Sequence, residues 1–553
     1  MTQLSDLRPL SQPSINPKDL VAAVSAKLLR ESDEPIRGVT LDSKDVQAGD
    51  LFVAIPGFKR HGAEFAGMAI EAGAVAVASD KSGLEIVANE YPNVTLIEVD
   101  DPRKWAGRAA AYVWGNPGFD LTMVGITGTN GKTTTTHFVH HALTELVGPT
   151  LMIGTVGITL GSTHVDSERT SLEAPLLHRI LAWAKEKGAQ NVVMEVSSHA
   201  LDLHRVEGVT FDMAAFLNLQ RDHLDFHKTM EAYFAAKAML FEPDLAMRGI
   251  VCVDDEWGQK LSRQTSIPIE RVTTHSNIDE GAAEWRVGFH TLNKTDAGTD
   301  LEVATPHGVV NMHCPLPGVI NVQNQMVALA VVAGLGLPVQ EVATALASTP
   351  QVPGRMEVIA KRSEDTPLVI VDFAHTPDAM RSACNALDPV TPGRLWCLFG
   401  ATGDRDRGKR PIMAEAAAQS ADVVILTDDD IYTEDPAAIR AEVATGFTDA
   451  EMRARQLWED DSRAHAIHAA VLGASPQDTV LIAGRGHETI QMIGEDPHPL
   501  DDRFEAREAV KMREQARPVD MEIWDSPRGA VPKLRNIPKT WEDLKHHDTT
   551  TSR

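Results

Sequence analysis

The sequence predicts an α/β protein of three domains followed by a flexible tail, and three observations carry that prediction. Short apolar runs such as Leu51–Ile55, Asn191–Val196, Leu368–Asp372 and Val423–Leu426 recur along most of the chain. Helical stretches lie between them. Polar or glycine-rich residues follow directly on many of the runs. Strands buried on both faces read as continuous apolar runs, so this pattern is that of parallel sheets covered by helices. At 553 residues the chain exceeds what one hydrophobic core organises.

The first segment, residues 1–117, reads as a small α/β unit. Leu51–Ile55 and Ala74–Ala78 are its strands, with a helix over Phe65–Ala72 between them. Asn116-Pro117-Gly118 is a turn signal that closes it. The second segment, 118–353, opens with the strand Leu121–Ile126 and continues through Asn191–Val196, Met213–Leu217 and Gly249–Val253 to Pro353-Gly354-Arg355. The third, 354–514, repeats the theme with Leu368–Asp372, Leu395–Phe399, Val423–Leu426 and Val480–Ala483. Beyond residue 514 the apolar periodicity fades. Charges and scattered prolines there predict a flexible tail over 515–553.

Composition excludes some functions. A formal charge of −26 repels polyanions, which argues against nucleic acid or an anionic membrane surface as partner. The apolar runs are too short to span a bilayer and the polar N-terminus lacks a signal core, so the expectation is a cytoplasmic protein. Cys252, Cys314, Cys384 and Cys397 match no metal-ligand spacing and read as reduced thiols.

The most informative segment is Gly128-Thr129-Asn130-Gly131-Lys132-Thr133-Thr134, between the Leu121–Ile126 strand and a helix expected over Lys132–Leu146. Glycines let backbone N–H groups converge on phosphate oxygens, Lys132 supplies a point charge, and Thr133 offers a hydroxyl to Mg²⁺. The spacing is shorter than in the usual P-loop, since Ile126 stands where its first glycine belongs. ATP and Mg²⁺ are therefore the expected cofactors.

Further polar groups follow strands. Glu195 opens Glu195-Val196-Ser197-Ser198-His199, where a strand-end carboxylate suits Mg²⁺. His223 stands between two acids after the next strand and is a candidate metal ligand. Lys237 lies in the apolar helical stretch Tyr233–Phe241, where snorkelling is the ordinary reading. Gly403–Pro411 packs four cations into nine residues, which its glycines and strand-end position make a carboxylate or anion clamp. Asp372–Pro377 and Gly484–Glu488 also follow strands. Five such strand ends point to one cleft between domains.

With these motifs assembled, the chain resembles the Mur ligases over about residues 36–512, and within them the MurE type. Those are ATP-dependent amide-forming enzymes of peptidoglycan precursor synthesis, and so of cell-wall biogenesis, cell shape and cell division. The resemblance rests on Leu41–Lys44 with Gly49–Ala54, Gly125–Thr135, Glu195–His199, His204–Val206, Arg221–His227, Asn321–Asn324, Val352–Arg355, Asp372–Ala379, Gly403–Pro411 and Gly484–Glu488. It implies a UDP-substrate-binding domain, a central P-loop ATPase and a Rossmann-like C-terminal domain. It implies that Lys132 and Thr133 hold ATP phosphates and Mg²⁺, that Glu195 and His223 are metal ligands, and that Lys237 is carbamylated by CO₂ into a further ligand. Gly128, Thr129, Asn130, Gly131, Thr134, Asn324, Arg355, Asp372 and His375 are implied on the ATP side. Ser43, Ser197 and Arg205 match substrate-binding positions. Thr170 and Ser171 match only in part, because Thr170–Ala174 departs from the family's Thr-Thr-Pro-Glu-Ala. The implied partners are UDP-N-acetylmuramoyl-L-alanyl-D-glutamate and a diamino acid, handled by a monomer. The implied reaction passes the γ-phosphate to the D-glutamate side-chain carboxylate, and the amine then displaces phosphate from the acyl phosphate.

The chain departs from the family at the diamino acid. Members that add meso-diaminopimelate carry Asp-Asn-Pro-Arg after the third-domain strand, with the arginine on the distal carboxylate. Here Asp429-Asp430-Ile431-Tyr432 aligns with it, so a phenol replaces the guanidinium and an acid replaces the amide. On this ground Asp429, Asp430 and Glu488 are expected to receive a terminal ammonium, with Arg405 on the α-carboxylate and Gly484 beside it. The expectation is L-lysine, with L-ornithine and meso-diaminopimelate as alternatives. A folylpolyglutamate-type ligase fits the N-terminal motifs poorly. A non-catalytic nucleotide-binding homologue would need a broken site, whereas Lys132, Glu195, His223 and Lys237 are all present.

Overall fold

The computed structural model describes residues 3–57, 60–88, 90–167, 170–275, 283–447, 452–454, 456–515, 521–526 and 529–534. Backbone proximity divides the chain into two compact units. The first holds Met1–Val287, Ala304–Val310 and Gln323–Leu346, and the second holds the rest.

Within the first unit the N-terminal domain is a five-stranded sheet in the order Lys27–Arg30, Thr95–Glu98, Ala76–Ser79, Asp50–Ala54, Gly38–Thr40. The first pair is antiparallel and the rest parallel. Leu51 and Val53 face a core that includes Leu20 and Trp105, whereas Phe52 and Ala54 face one that includes Ala66 and Leu84. Period-two burial on both faces is why the strand reads as an unbroken apolar run. The expected helix over Phe65–Ala72 is a 3₁₀ turn, Gly62–Phe65, followed by the helix Ala66–Glu71.

The central sheet of this unit runs Ile269–Thr273, Gly249–Cys252, Met213–Phe216, Thr122–Thr127, Asn191–Glu195, Thr150–Gly154, all parallel. Gly157–Leu160 and Thr163–Val165 then extend it antiparallel. The strand that feeds the phosphate loop lies between Met213–Phe216 and Asn191–Glu195. The helix after it spans Lys132–Leu146, as expected. Four successive threonines are poor helix formers, and burial of Thr133–Thr136 offsets that propensity.

The second unit contains a six-stranded sheet in the order Glu357–Ala360, Leu368–Asp372, Thr479–Ala483, Leu395–Phe399, Val423–Leu426, Gln456–Glu459. Only the first pair is antiparallel. Helices Pro377–Leu387, Lys409–Ser420 and Pro436–Ala444 cover one face, and Arg463–Gly473 and Asp502–Glu514 the other. This doubly wound arrangement puts the carboxyl ends of the parallel strands, and the loops after them, along one edge. In the tail, Met521–Ser526 and Gly529–Leu534 pair as an antiparallel hairpin. The expectation for 535–553 lies outside the described residues.

Candidate active site

In the first unit the phosphate loop is braced by the segment that follows the next strand. Asn130 N donates to Asn218 Oδ1 at 2.9 Å, and Asn218 Nδ2 returns a bond to Asn130 O at 3.1 Å. Thr129 N donates to Asn218 O, and Asn130 Nδ2 donates to Gln220 Oε1. Gly131 caps the helix with φ 88°, and a Cβ there would stand 2.2 Å from Asn324 Oδ1. Only glycine meets both demands. The Lys132–Leu146 helix has glycine at its N-cap and therefore no side-chain cap, and a helix start of this kind suits an anion.

Lys132 Nζ folds back on the loop, donating to Gly128 O at 2.8 Å and Thr129 O at 3.0 Å. Lys237 arrives from the helix Met230–Ala238 and donates to the same Gly128 carbonyl at 2.9 Å. Its side chain is buried and its Nζ lies 4.8 Å from the centre of the Tyr233 ring. The snorkelling reading of Lys237 is therefore wrong: the amine points inward. Burial first, then the charge of Lys132, hold it well below the ordinary lysine range, with Asp222 opposing them.

Glu195 ends its strand in the core. Its Oε1 accepts Thr155 N at 2.8 Å and its Oε2 accepts Thr155 Oγ1 at 3.2 Å. A Cβ on Gly154 would lie 2.3 Å from Glu195 Oε1, so the adjacent strand is kept bare for this carboxylate. Thr170 reaches the same place, its Oγ1 3.2 Å from Thr155 Oγ1. Ser171 Oγ donates to Glu195 O at 3.0 Å and to Ser197 Oγ at 3.3 Å. Arg205 pairs with Glu173 at 3.0 Å and reaches Ser171 O. Glu195, Thr170, Ser171, Ser197 and Arg205 thus form one cluster.

His223 has φ 51° and stands 5.0 Å, ring to ring, from His199. Among the described residues no three His, Cys, Asp or Glu side chains converge as a metal site. The expected set of Thr133, Glu195, His223 and Lys237 is not a ready-made cage of protein anions, because Lys237 presents an amine. The available donors are the Glu195 carboxylate, the His223 imidazole and the Thr133 hydroxyl. Carboxylate and hydroxyl oxygens suit a hard divalent ion, and Mg²⁺ ordinarily takes one or two carboxylates and completes its shell from phosphates and water. Ser43 is half-buried in the turn after Gly38–Thr40.

In the second unit Asp372 closes its strand and accepts Met356 N at 2.7 Å and Ala374 N at 2.9 Å. Burial pushes its carboxyl up, against the pull of Arg355. Arg355 stacks 4.3 Å over Phe373, whose ring also meets His375 and His487. A Cβ on Gly354 would lie 2.1 Å from Gly486 C, so the two loops touch backbone to backbone. His375 is exposed, its Nδ1 2.9 Å from Phe373 O.

The four-cation clamp narrows. Arg410 is buried and paired with Glu434 and Glu442, and Arg407 also pairs with Glu442. Lys409 Nζ donates to His375 O at 3.3 Å. Arg405 remains exposed, its guanidinium 6.0 Å from the centre of the Tyr432 ring. Arg407 and Arg410 are thus spent in ion pairs within the domain, and Lys409 bonds a backbone carbonyl.

The acids expected to await an ammonium are also engaged. Arg485 Nη1 donates to Asp430 Oδ1 at 2.7 Å and to Asp429 Oδ1 at 3.1 Å, and its side chain is 0 % exposed. Asp430 Oδ1 also accepts Met492 N at 2.9 Å. Burial raises the Asp429 pKa, but Arg463 and Arg485 outweigh it and hold the carboxyl below its usual range. Glu488 differs: burial, helped by Asp429 and Asp430 and opposed by Arg485, raises it to about 7. Sequence reasoning gave Arg485 no role although it lies in a recognised motif, and Arg463 carried no local signal. Thr155, Asn218, Tyr233 and Glu173 were likewise unassigned; Tyr233, four residues before Lys237, could have been found from helical spacing.

Three family descriptions match the chain: "Mur ligase family, catalytic domain" over residues 35–114, "Mur ligase middle domain" over 126–332, and "Mur ligase, glutamate ligase domain" over 354–486. The UDP-N-acetylmuramoyl-L-alanyl-D-glutamate--2,6-diaminopimelate ligase of Streptomyces avermitilis is 41% identical over 482 residues, covering 87% of this chain and 94% of that protein. The enzyme of the same name from Corynebacterium efficiens is 38% identical over 505 residues, covering 89% and 94%. A solved structure of a ligase with that name aligns with TM-score 0.65 at 30% identity, covering 91% of this chain and 99% of that one. Folylpolyglutamate synthase of Mycobacterium tuberculosis aligns at 17% identity with TM-score 0.53, covering 68% and 91%, which shows a shared fold alone. No helix among the described residues is long and apolar enough to cross a membrane.

Proposed function

We propose, from the premise that this chain belongs to the Mur ligase family and is an ATP-dependent amide-forming ligase, that it adds meso-diaminopimelate to UDP-N-acetylmuramoyl-L-alanyl-D-glutamate. The observation that carries the ligase reading is the meeting of Lys132 and Lys237 at the Gly128 carbonyl, on a loop braced by Asn218. Lys132 and the uncapped helix start offset the charge of the transferring phosphoryl group. Thr133, Glu195 and His223 would hold Mg²⁺, which supplies charge neutralisation at the phosphate oxygens. Lys237, a buried amine whose pKa is held well below the ordinary lysine range, is suited to react with CO₂, and the carbamate would add an anionic oxygen to that set. Ser43, Thr170, Ser171, Ser197 and Arg205 serve the nucleotide-peptide. Gly128–Thr134 serve the triphosphate, with Asn324, Arg355, Asp372 and His375 on the ATP side. The D-glutamate carboxylate takes the γ-phosphoryl group, and the incoming amine then expels phosphate as the amide forms.

For the amino acid, the relatives' names favour diaminopimelate. The ion pairs of Arg485 are compatible with it, because they neutralise the two acids that would otherwise repel a distal carboxylate. Arg405 and Gly484 then serve the α-carboxylate end, and Glu488 an amine. L-Lysine, the earlier expectation from sequence, retains one specific observation, the phenol of Tyr432 where a guanidinium would grip a distal carboxylate. The test is phosphate release by the purified protein with ATP, the nucleotide-dipeptide and a panel of amino acids. Release only when nucleotide-dipeptide and meso-diaminopimelate are both present is expected. Turnover with L-lysine alone would overturn the choice of amino acid, and release without any acceptor would overturn the ligase reading.

A further inference from the structure

The helix Pro102–Val113 of the N-terminal domain reaches two acids near Arg205: Glu173, which pairs with Arg205, and Glu207, two residues beyond it. On one side Arg103 Nη1 pairs with Glu173 at 3.0 Å, and the same carboxylate takes Arg205 Nη2 at 3.0 Å. On the other, Arg108 Nε pairs with Glu207 at 2.7 Å. Between them the backbones meet, since a Cβ on Gly107 would lie 2.6 Å from Glu207 O. Glu173 stands at the N-cap of the helix Ala174–Glu186 but makes no cap bond, so its carboxylate is directed to arginines instead. Arg205 Nη1 reaches Ser171 O at 3.5 Å, and Ser171 in turn bonds Glu195 O and Ser197.

We propose that Arg103 is a positioning residue for Arg205, acting through Glu173, so that the N-terminal domain sets the guanidinium that grips the nucleotide-peptide. The inference rests on the function proposed above. The three side chains are 28%, 23% and 15% exposed, so the pairs are better shielded than ordinary surface bridges, which contribute little. A guanidinium side chain has several rotatable bonds, and a fixed carboxylate restricts them before the ligand arrives. Loss of Arg103 frees Glu173 to follow Arg205, and the forked donor is no longer held in register.

The test is calorimetric titration of the full chain with UDP-N-acetylmuramoyl-L-alanyl-D-glutamate in the absence of ATP, together with steady-state kinetics. Arg103→Met should weaken binding and raise KM for the nucleotide-dipeptide about fivefold, with kcat and KM for ATP unchanged, the signature of lost ground-state binding. Arg103→Lys should recover part of that loss. Glu173→Gln should weaken binding to a similar degree, and the double variant should be no worse than Glu173→Gln alone, because the two act in series. Wild-type affinity in a folded Arg103→Met protein, or additive losses in the double variant, would overturn the inference while leaving the ligase reading intact. Should the wild-type protein itself fail to bind the nucleotide-dipeptide, the functional reading falls and this inference with it. Should Arg103→Met fail to fold, Arg103→Lys and Glu173→Gln decide by the same criteria.

Discussion

Lys132 and Lys237 donate to one acceptor, the carbonyl oxygen of Gly128, at 2.8 and 2.9 Å. Two ammonium groups on one carbonyl repel each other, and only Lys237 is fully buried. Burial and the neighbouring cation both push the Lys237 pKa down. One loop carbonyl therefore receives two lysine amines side by side, and Lys237 is the one whose charged form burial disfavours.

Lys132→Ala should lower kcat at least about a hundredfold, the scale seen when one preorganised donor to a developing oxyanion is removed. Lys237 is not a substitute, since it is buried and its charged form is disfavoured there. Phosphate release with both substrates present is the measurement, and near-normal turnover would remove this loop from the chemistry.

Lys237→Ala should be nearly inactive and partly restored by a short carboxylate such as acetate, and the wild-type protein should give a carbamate carbon signal with labelled bicarbonate. A fully active alanine variant would return Lys237 to a packing role. Stability gives a second check. The folded pKa lies below the ordinary value of about 10.4, so as pH falls below that value the unfolded chain takes up a proton that the fold refuses. The destabilisation grows until the folded pKa is reached and is constant below it. Lys237→Met should therefore gain thermal stability relative to wild type as pH falls through that window.

Glu488, with its carboxyl held up to about 7, changes charge near neutrality. If it receives an amine of the incoming amino acid, kcat/KM for that substrate should rise with pH through about 7 in the wild type and be flatter in Glu488→Gln. The pH dependence of kcat/KM for ATP should be unaffected. The sign for folding is opposite to that for binding: the raised pKa weakens stability progressively from the ordinary carboxylate value up to about 7, so Glu488→Gln should be the more stable protein above it. Identical substrate profiles in the two proteins would remove Glu488 from amino-acid binding.

Arg463 and Asp502 are both 0 % exposed and bonded through two oxygens, at 2.8 and 2.7 Å. Arg463→Met strands a buried carboxylate and removes one of the two cations that hold Asp429 ionised, at a cost of about 3–5 kcal/mol. Urea unfolding followed by fluorescence measures it. A loss below about 1 kcal/mol would mean that water or neighbouring groups already satisfy Asp502.

The strands Leu368–Asp372, Leu395–Phe399 and Val423–Leu426 and the helix Lys132–Leu146 were legible from the sequence to the residue. Burial on both faces writes a local apolar run, and a glycine loop between strand and helix writes its own boundaries. The motif residues at strand ends were legible for the same reason, as was the α/β class. What each charge touches was decided only by the tertiary structure. Lys237 meets Gly128 across 109 residues, and Arg485 meets Asp429 across 56. In the sequence, Asp429 and Asp430 read as a negative site open to an ammonium; in the fold, Arg485 and Arg463 neutralise them. Hydrophobic period is a property of neighbouring residues, whereas a buried charge takes its state from whatever the packed chain brings within a few ångströms.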